Sequence, residues 1–387
     1  MERRSRPSIA PTLLPTLVIA TMLLGSASVR SSSPQPETVA TASAGRHFSI
    51  LASGDVLIHD AVWEQARENG RASGREFDFR PMFAPVRPVV RRADWAICHL
   101  EIPLSRNNRN LSTYPVFNAP RQVAPGIHSA GYDSCSTASN HSMDQGEEGI
   151  YSTMDVLEAS NLKHEGTARS RRGGRRAAIY RVNGVKVGHV SFTYGLNGFR
   201  IPDNKWWLVN VIEAERIIKQ AKNARYRGAE FVIVSLHWGE EYRTAPTDFQ
   251  RDLARRVLGS PAIDAVIGHH AHVVQPITTV RQRFVVYGMG NHVSAQYSPV
   301  NTQDGLMVKL LVEERDTGRF VVDGIRVTPT YVERGTYRIL PVARTLRAKW
   351  PSESLRATLR ASWDRTMSAV HSLGRDPRVK PSSYPPK

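Results

Sequence analysis

The stretch 262-AIDAVIGHHAHVVQ-275 joins a short apolar run to a cluster of three histidines. A short run rich in β-branched residues is typical of a buried strand. His270 and His272 are two positions apart, so in an extended chain they lie on the same side. We therefore interpret this stretch as a strand that ends in a candidate metal site.

Four other strand-like runs end in a similar way, at Asp55, Glu101, Asn140-His141 and His237. In open α/β sheets, ligands bind outside the carboxyl ends of the strands, so residues far apart in sequence can share one site. Taken singly, each residue has an ordinary structural explanation, such as a strand-end turn for Asp55. Together they predict a metal site at one edge of a sheet.

Strand and helix patterns alternate from residue 47 to about residue 340, which predicts an α/β fold. The predicted helices span residues 155–162, 210–227 and 249–258, and the predicted buried strands span 185–192, 230–236, 262–268 and 284–287. The later runs 306–312 and 320–327 favour antiparallel strands joined by a turn at 316–318. This mixture predicts two packed sheets with helices outside.

The chain has 387 residues, and we divide it into four segments. Residues 1–29 combine a basic start with an apolar stretch, which is typical of a secretory signal peptide or, if uncleaved, of a signal anchor. Residues 30–45 have the composition of a flexible linker. Residues 46–343 are the main domain, and residues 344–387 are a basic helix with a disordered end from residue 377.

The formal net charge is +17, and residues 344–387 contain ten Lys/Arg against three Asp/Glu, which leaves +7 there. This C-terminal helix fits either packing on the domain or binding to a surface. One loop carries five further arginines, Arg169, Arg171, Arg172, Arg175 and Arg176. They fit a solvated loop, or a surface for a polyanion or anionic lipid. Aromatic residues are not interleaved with these charges, so we predict no nucleic-acid partner.

The two cysteines, Cys98 and Cys135, both lie in apolar runs. Two cysteines are too few to form a disulfide framework in a chain of this length. We therefore interpret them as buried small hydrophobic residues. A disulfide is the alternative if their strands are neighbours in an oxidising compartment. The signal segment predicts export to an extracellular or cell-surface location, with membrane contact only through that segment.

The predicted metal ligands are oxygen and nitrogen donors, namely Asp55, Glu101, Asn140, His237, His270 and His272. Such a set suits one or two divalent ions of the Mn, Zn or Fe class. His141 is the candidate general acid. The sequence has no Gly-x-Ser-x-Gly elbow and no Walker loop, which is consistent with metal-assisted hydrolysis. Further candidate site residues are His59, Asp144, Glu241, His269, Asn291 and His292.

The order of these motifs resembles that of the CapA family, which is associated with poly-γ-glutamate capsule synthesis. The matching blocks include Gly54-Asp55-Val56, Leu100-Glu101-Ile102-Pro103-Leu104, Ser139-Asn140-His141, Leu236-His237-Trp238-Gly239, Gly268-His269-His270-Ala271-His272 and Gly288-Met289-Gly290-Asn291. The resemblance covers about residues 47–300. It implies a four-layer α/β/β/α sandwich similar to calcineurin-like metallophosphoesterases, with the six ligands at its metal positions and His141 at the acid position.

Three positions depart from the family pattern. Metallophosphoesterases usually begin with Asp-x-His, but Leu57 stands where that histidine is expected, and His59 lies two residues further on. The longer Glu101 replaces the bridging aspartate of metallophosphoesterases, as is usual in CapA-like chains. His292 follows Asn291 where CapA-like chains usually have phenylalanine, so it adds a ligand or replaces a packed ring.

The resemblance and the ligand set together predict an exported, metal-dependent hydrolase-type protein. It would act in the synthesis, export or turnover of a poly-γ-glutamate-like polymer. The expected partners are an anionic polymer or a phosphoester substrate, and cell-surface capsule machinery. The alternatives are a non-catalytic cell-surface scaffold of the same fold and a secreted phosphodiesterase or nucleotidase.

Overall fold

Two β-sheets packed face to face form the centre of the computed structural model, which describes residues 45–386. The predicted signal segment and residues 30–44 of the predicted linker lie outside the described residues. The strands are β1 His47–Val56, β2 Trp95–Leu100, β3 Ser134–Ser136, β4 Lys163–Glu165, β5 Ala178–Val182, β6 Val185–Thr193, β7 Phe231–His237, β8 Ala265–His269, β9 Ile277–Val280, β10 Arg283–Val286, β11 Asn291–Val293, β12 Asp304–Glu314, β13 Phe320–Val332, β14 Ile339–Pro341 and β15 Val379–Pro381.

The helices are α1 Asp60–Arg71, α2 Arg80–Phe83, α3 Arg87–Val90, α4 Val123–Ala130, α5 Gly146–Ala159, α6 Ala214–Tyr226, α7 Asp248–Val257, α8 Val342–Arg347 and α9 Glu353–Val370. Within residues 45–386, no helix is both long enough and apolar enough to cross a membrane.

The first sheet has the order β14-β13-β12-β1-β2-β3-β4, with β11 beside β1 and β15 beside β13. The second sheet has the order β5-β6-β7-β8-β10-β9. Strands β1 to β4 run parallel to one another, and so do β6, β7, β8 and β10. Each sheet therefore gathers the carboxyl ends of its parallel strands at one edge, which is where ligands bind in such folds.

Side chains alternate between the two faces of each strand, so the core is divided into layers. Phe48 and Ile50 of β1 belong to the apolar cluster between the sheets, whereas Leu51 belongs to the cluster beneath the helices of the first sheet. In β7, Ile233 faces the first sheet, and Val232 packs with α6 and α7. Successive strand residues point to opposite faces, so each sheet is covered on both sides. The predicted four-layer α/β/β/α arrangement is confirmed.

Helix α5 shows where the hydrophobic pattern was a poor guide. The sequence predicted a helix at 155–162, but α5 begins at Gly146. Its first turns bury polar side chains: the Thr153 hydroxyl donates to the Gly149 carbonyl (2.7 Å), and the Ser152 hydroxyl donates to the Leu104 carbonyl (2.6 Å). Ile150 and Met154 are buried at helical spacing, but the glycines and polar residues around them obscured the pattern at the start of the helix.

The C-terminal segment packs on the first sheet. Leu359 of α9 lies in one apolar cluster with Tyr331 and Leu340, and the guanidinium of Arg365 donates to Asp304 at 2.7 and 3.0 Å. The prediction of disorder from residue 377 was wrong, because β15 pairs with β13 in parallel. A three-residue strand added to a sheet edge is held by backbone hydrogen bonds, which composition does not reveal.

A disulfide joins Cys98 of β2 to Cys135 of β3, and their Cα atoms are 4.4 Å apart. The two residues are direct partners in the parallel pairing, and both are fully buried. The interpretation as small hydrophobic residues without a covalent link was therefore wrong. The alternative, a disulfide between neighbouring strands, is what the structure contains.

Candidate metal centre

The predicted ligands converge at the carboxyl edge of the parallel strands. Asp55 lies near the end of β1, Glu101 directly follows β2, His237 ends β7 and His270 directly follows β8. All are buried. Among residues 45–386, four groups of side chains have ligand atoms within 4.8 Å of one another: Asp55–His99–His269, Asp55–Glu101–His272, Glu101–His237–His270 and Glu241–His270–His272.

Close approach of the backbone makes this convergence possible. A Cβ atom on Gly54 would collide with the Gly290 carbonyl oxygen, and one on Gly268 would collide with the Tyr287 carbonyl oxygen. Beyond β8 the chain takes left-handed φ angles, +89° at His270 and +55° at His272. Such angles are uncommon for residues other than glycine and cluster at functional sites. They turn both imidazoles toward the edge of the sheets.

Asp55 accepts several hydrogen bonds. Its Oδ1 accepts from His269 Nδ1 (3.1 Å), and its Oδ2 accepts from the His270 backbone N–H (3.1 Å) and lies 3.4 Å from His272 Nδ1. Burial acts to raise the pKa of Asp55, but the bonds from His269 and His272 outweigh it and hold the pKa well below its ordinary value. Asp55 is therefore a carboxylate, the form that binds cations.

Glu101 provides the clearest indication of a cation. It is 1% exposed, and neither carboxylate oxygen has a hydrogen-bond partner among the described residues. Its Oε1 lies 3.7 Å from both His237 Nε2 and His272 Nε2. Burial raises the pKa of Glu101 well above its ordinary value, because a buried unpaired carboxylate is costly. A divalent cation would satisfy these oxygens, so the residues present fit a metal.

Two of the three imidazoles of the second sheet, those of His237 and His270, are in the neutral form that binds a metal. Burial lowers the pKa of His237 well below its ordinary value and that of His270 to about 3, so both rings are neutral, as ligation requires. Burial also acts to lower the pKa of His272, but Glu101 and Asp55 reverse this and raise it to about 9. Asn140 joins the group through its Oδ1, 2.7 Å from His237 Nε2.

His99 is a site residue that sequence analysis missed. Its Nε2 lies 2.9 Å from His237 Nδ1, and its Nδ1 lies 2.8 Å from the Ser136 hydroxyl. Its ring stacks on His269 with centroids 4.0 Å apart. The available signal was its place two residues before Glu101, because alternation puts both on the same face of β2. An apolar run with a histidine inside looked like an ordinary strand.

His141 forms a pair with Asp144. The His141 Nδ1 lies 2.8 Å from Asp144 Oδ2, and the same oxygen accepts from the Phe117 backbone N–H (2.7 Å). The Phe117 ring packs edge-on against His141, with centroids 4.7 Å apart. Asn197 approaches His141 Nδ1 at 3.5 Å. With Nδ1 held by Asp144, Nε2 is the ring nitrogen left for proton transfer.

Three of the further candidates lie against the proposed ligands. His269 bonds to Asp55, as described above. The Asn291 Oδ1 lies 3.0 Å from His272 Nδ1, which orients that ring. Glu241 is exposed and belongs to a group with His270 and His272.

His59 and His292 belong to none of the four groups. The His59 Nδ1 accepts from the Ala295 backbone N–H (3.3 Å), and burial lowers its pKa to about 4. The His292 Nε2 lies 2.8 Å from the Tyr132 hydroxyl, and its ring lies 6.0 Å from that of Phe83. Of the two readings of His292, the structure therefore favours a packed ring. Neither histidine stands in for the one expected at position 57.

These features define a class of protein: a four-layer α/β/β/α sandwich in which two sheets jointly build a candidate centre for divalent cations. The family model described as "Bacterial capsule synthesis protein PGA_cap" matches residues 49–296, which is more than half of the chain. The chain belongs to this family. The predicted resemblance to CapA proteins is confirmed.

Two curated relatives carry the CapA name. The PGA biosynthesis protein CapA of Bacillus subtilis is 27% identical over 300 residues, which cover 76% of this chain and 76% of that protein. The capsule biosynthesis protein CapA of Bacillus anthracis is 26% identical over 262 residues, covering 66% of this chain and 62% of that protein.

Solved structures with a similar arrangement include two bacterial proteins. The calcineurin-like phosphoesterase YfkN of Bacillus subtilis is 15% identical with a TM-score of 0.44, covering 82% of this chain and 99% of that chain. The NAD nucleotidase of Haemophilus influenzae is 10% identical with a TM-score of 0.47, covering 88% of this chain and 65% of that chain.

Proposed function

We propose that this protein is an exported, metal-dependent hydrolase that acts on a poly-γ-glutamate-like capsule polymer during its synthesis, export or turnover. The observation that carries the proposal is Glu101, a buried carboxylate without a hydrogen-bond partner among the described residues, which faces imidazoles of the opposite sheet. Membership of the capsule synthesis family supports the choice of polymer.

The residues divide into ligands and a proton donor. Asp55, Glu101 and His272 would hold one divalent cation, while Glu101, His237 and His270, joined by Asn140, would hold a second. A bound cation would polarise a substrate oxygen and make water a stronger nucleophile. His141, oriented through Nδ1 by Asp144, would donate a proton from Nε2 to the leaving group.

The Cys98–Cys135 disulfide supports the export part of the proposal. Disulfides persist in secreted and cell-surface proteins and are rare in reducing compartments. Export would also bring the protein to the place where a capsule polymer is assembled. Fractionating cells that produce the full chain tests this part, and recovery of the protein only in the cytosol would contradict it.

Metal analysis and turnover assays test the enzyme proposal directly. We expect purified protein to contain Mn, Zn or Fe by elemental analysis and to hydrolyse at least one of three substrate types: γ-glutamyl, phosphomonoester and phosphodiester. Cleavage of the γ-glutamyl chain is the expected preference. Protein that binds no metal and shows no turnover after addition of Mn, Zn or Fe would overturn the proposal.

A non-catalytic scaffold is the second candidate, favoured by Leu57 at the position where metallophosphoesterases usually carry a histidine ligand. His141→Ala separates the two. For an enzyme, turnover and capsule formation fall while metal content is unchanged; for a scaffold, capsule formation is unaffected. His47→Ala, at an exposed histidine at the start of β1, is the matched control and should change neither.

A further inference from the structure

We propose a second binding site, separate from the metal centre, that holds a carboxylate-bearing polyamide chain on the outer face of α6. A cavity of about 640 Å³ lies there, between the arginine-rich loop and the helix. It is lined by Gly174, Arg175, Trp206, Arg216, Lys219, Gln220 and Asn223. None of these residues belongs to the four candidate metal groups.

The cavity carries positive charge that no acidic residue balances. Among the residues the structure describes, no carboxylate lies within 4.0 Å of the charged groups of Arg175, Arg216 or Lys219. In contrast, Arg169 of the same loop is paired with Asp155 and Glu158. Clustered unpaired cations raise the local concentration of anionic ligands, so this part of the loop is suited to a negative partner.

Arg227, just beyond the end of α6, interacts with two arginines of the same loop. Burial lowers the pKa of this guanidinium, repulsion from Arg176 and Arg172 lowers it further, and attraction to Glu165 acts against them. This repulsion is a sign that the loop and the end of the helix share one positive field. An anion bound nearby would relieve it.

The cavity also contains polar atoms that are buried but have no hydrogen-bond partner within residues 45–386. Arg216 Nη2 is an unused donor, whereas Gln220 Oε1 and Asn223 Oδ1 are unused acceptors. Each buried polar group without a partner needs an explanation, and for side chains that line a cavity a bound ligand is one. A ligand that offers acceptors and at least one N–H or O–H donor would satisfy these atoms.

The amide of Gln220 is fixed from the protein side. Its Nε2 donates to the Gly174 carbonyl (2.8 Å) and to Asn210 Oδ1 (3.3 Å). These bonds tie the loop to α6 and leave Oε1 without a partner on the protein side. The position of this acceptor is therefore set before a ligand arrives, which lowers the entropic cost of binding.

Aromatic rings complete the surface. The guanidinium carbon of Arg216 lies 5.3 Å from the centroid of the Trp206 ring, and that of Arg175 lies 5.8 Å from it. Arg171 approaches Trp207 in the same way, at 5.7 Å. Sequence analysis did not foresee the loop pairs, because Arg175 and Trp206 are 31 residues apart and Arg171 and Trp207 are 36 apart. Stacking on the rings holds the guanidinium planes and reduces the side-chain entropy lost on binding.

An anionic polyamide matches all of these groups. Its carboxylates pair with Arg216, Arg175 and Lys219, and its backbone N–H groups donate to Gln220 Oε1 and Asn223 Oδ1. Phosphate diesters and polyacrylate supply charge but no such donors. The choice of a γ-linked glutamate chain rests on the proposed function. The site would then hold one part of the polymer while another part reaches the metal centre.

Binding of defined oligomers to the full protein tests this proposal. We would measure the affinity of γ-linked glutamate oligomers by calorimetry, with an equal length of polyacrylate as a carboxylate polymer that lacks amide donors. Lys219→Gln should weaken binding of the glutamate oligomer about tenfold, as expected for loss of one charged contact. Lys222→Gln is the matched control, since this exposed lysine lies on α6 outside the cavity lining and should have almost no effect.

The same measurement with Asp55→Asn separates this site from the metal centre. Binding of the oligomer should persist in that variant even if turnover is lost, so failure of the hydrolase proposal would leave this one standing. Equal losses from Lys219→Gln and Lys222→Gln would reduce the effect to net charge and overturn the proposal. Absence of binding would overturn it as well. So would equal or tighter binding of polyacrylate, of a single-stranded oligonucleotide or of phosphatidylglycerol vesicles.

Discussion

The two sheets contribute different chemistry to the same site. The first sheet supplies oxygen donors, Asp55, Glu101 and Asn140, from the ends of β1 and β2 and the loop after β3. The second sheet supplies the imidazoles of His237, His270 and His272, at the ends of β7 and β8. Neither set resembles a complete metal site by itself. The candidate centre exists only because the sheets pack with their carboxyl edges together.

The sheets also differ in how they are held. The first is cross-linked by the Cys98–Cys135 disulfide, whereas the second contains no cysteine. The interface between them is apolar, with residues such as Ile50 and Ile233 in one cluster. The first sheet, which supplies the oxygen ligands, is thus stabilised by a covalent cross-link. The second sheet, which supplies the imidazoles, is held in place by packing. Four predictions test this division, from the largest expected effect to the smallest.

Removing a ligand of either sheet should weaken metal binding to the same degree. We expect Glu101→Gln and His270→Gln each to lower metal affinity and turnover by more than about 100-fold, because even supporting residues outside the ligand set typically cost 10–100-fold. Elemental analysis and turnover assays measure both effects. Glu240→Gln, at an exposed site near His237, is the control. Full metal content in His270→Gln alone would show that the sheets do not share the centre.

Loss of the disulfide should destabilise the protein without removing the metal. The bridge spans 37 residues, so replacing both cysteines by alanine should lower the free energy of unfolding by about 4 kcal/mol. Urea denaturation with and without reductant measures this difference. Reductant should affect the wild-type protein and leave the double variant unchanged. Equal stability of the two proteins would mean that the brace contributes nothing.

His99→Phe tests whether β2 orients the imidazoles of the opposite sheet. The substitution keeps a ring against His269 but removes the contacts with His237 and Ser136. We expect a loss of about 10–100-fold in metal affinity, measured by competition with a chelator. His292→Phe, a matched change at another buried histidine, should leave the affinity unchanged. The prediction fails if both variants lose affinity equally.

Glu165 links the edges of the two sheets, because its Oε2 accepts from the Ala178 backbone N–H at 2.7 Å. Burial raises its pKa to about 8. A carboxyl group with a raised pKa contributes stability that is present below its unfolded pKa and lost as the pH rises through 8. Between pH 7 and pH 9 the wild-type protein should lose about 1.4 kcal/mol relative to Glu165→Gln. Urea denaturation of both proteins at pH 7 and pH 9 measures this loss. An equal change of stability in the two proteins would contradict the prediction.

The layers and the strand-end positions of the six candidate ligands could be predicted because both follow from local order. A buried strand that ends on Asp55 or His237 leaves a readable pattern of apolar residues followed by a polar one. The start of α5 was placed too late, because glycines and polar residues surround its first apolar side chains, Ile150 and Met154. The C-terminal strand β15 was missed for a different reason: it is held by backbone bonds to β13.

Contacts between distant residues accounted for the remaining errors. The pairing of Cys98 with Cys135 depends on β2 and β3 being neighbours, which neither strand reveals alone. In the sequence, His99 looks like an ordinary strand residue. Only the folded structure brings His237 of the second sheet next to it. His292 was a candidate ligand by its place after Asn291, yet its partner is Tyr132 in the first sheet. In each case the role of the residue was decided by its partner in the folded structure and not by its residue type.

A crystal structure with anomalous scattering recorded at metal absorption edges tests the central claim most directly. We predict a peak within bonding distance of Glu101 and of His237 or His272, so that ligands from both sheets touch the same ion. A centre with ligands from one sheet only, or an empty edge in protein grown with Mn, Zn and Fe, would contradict the account.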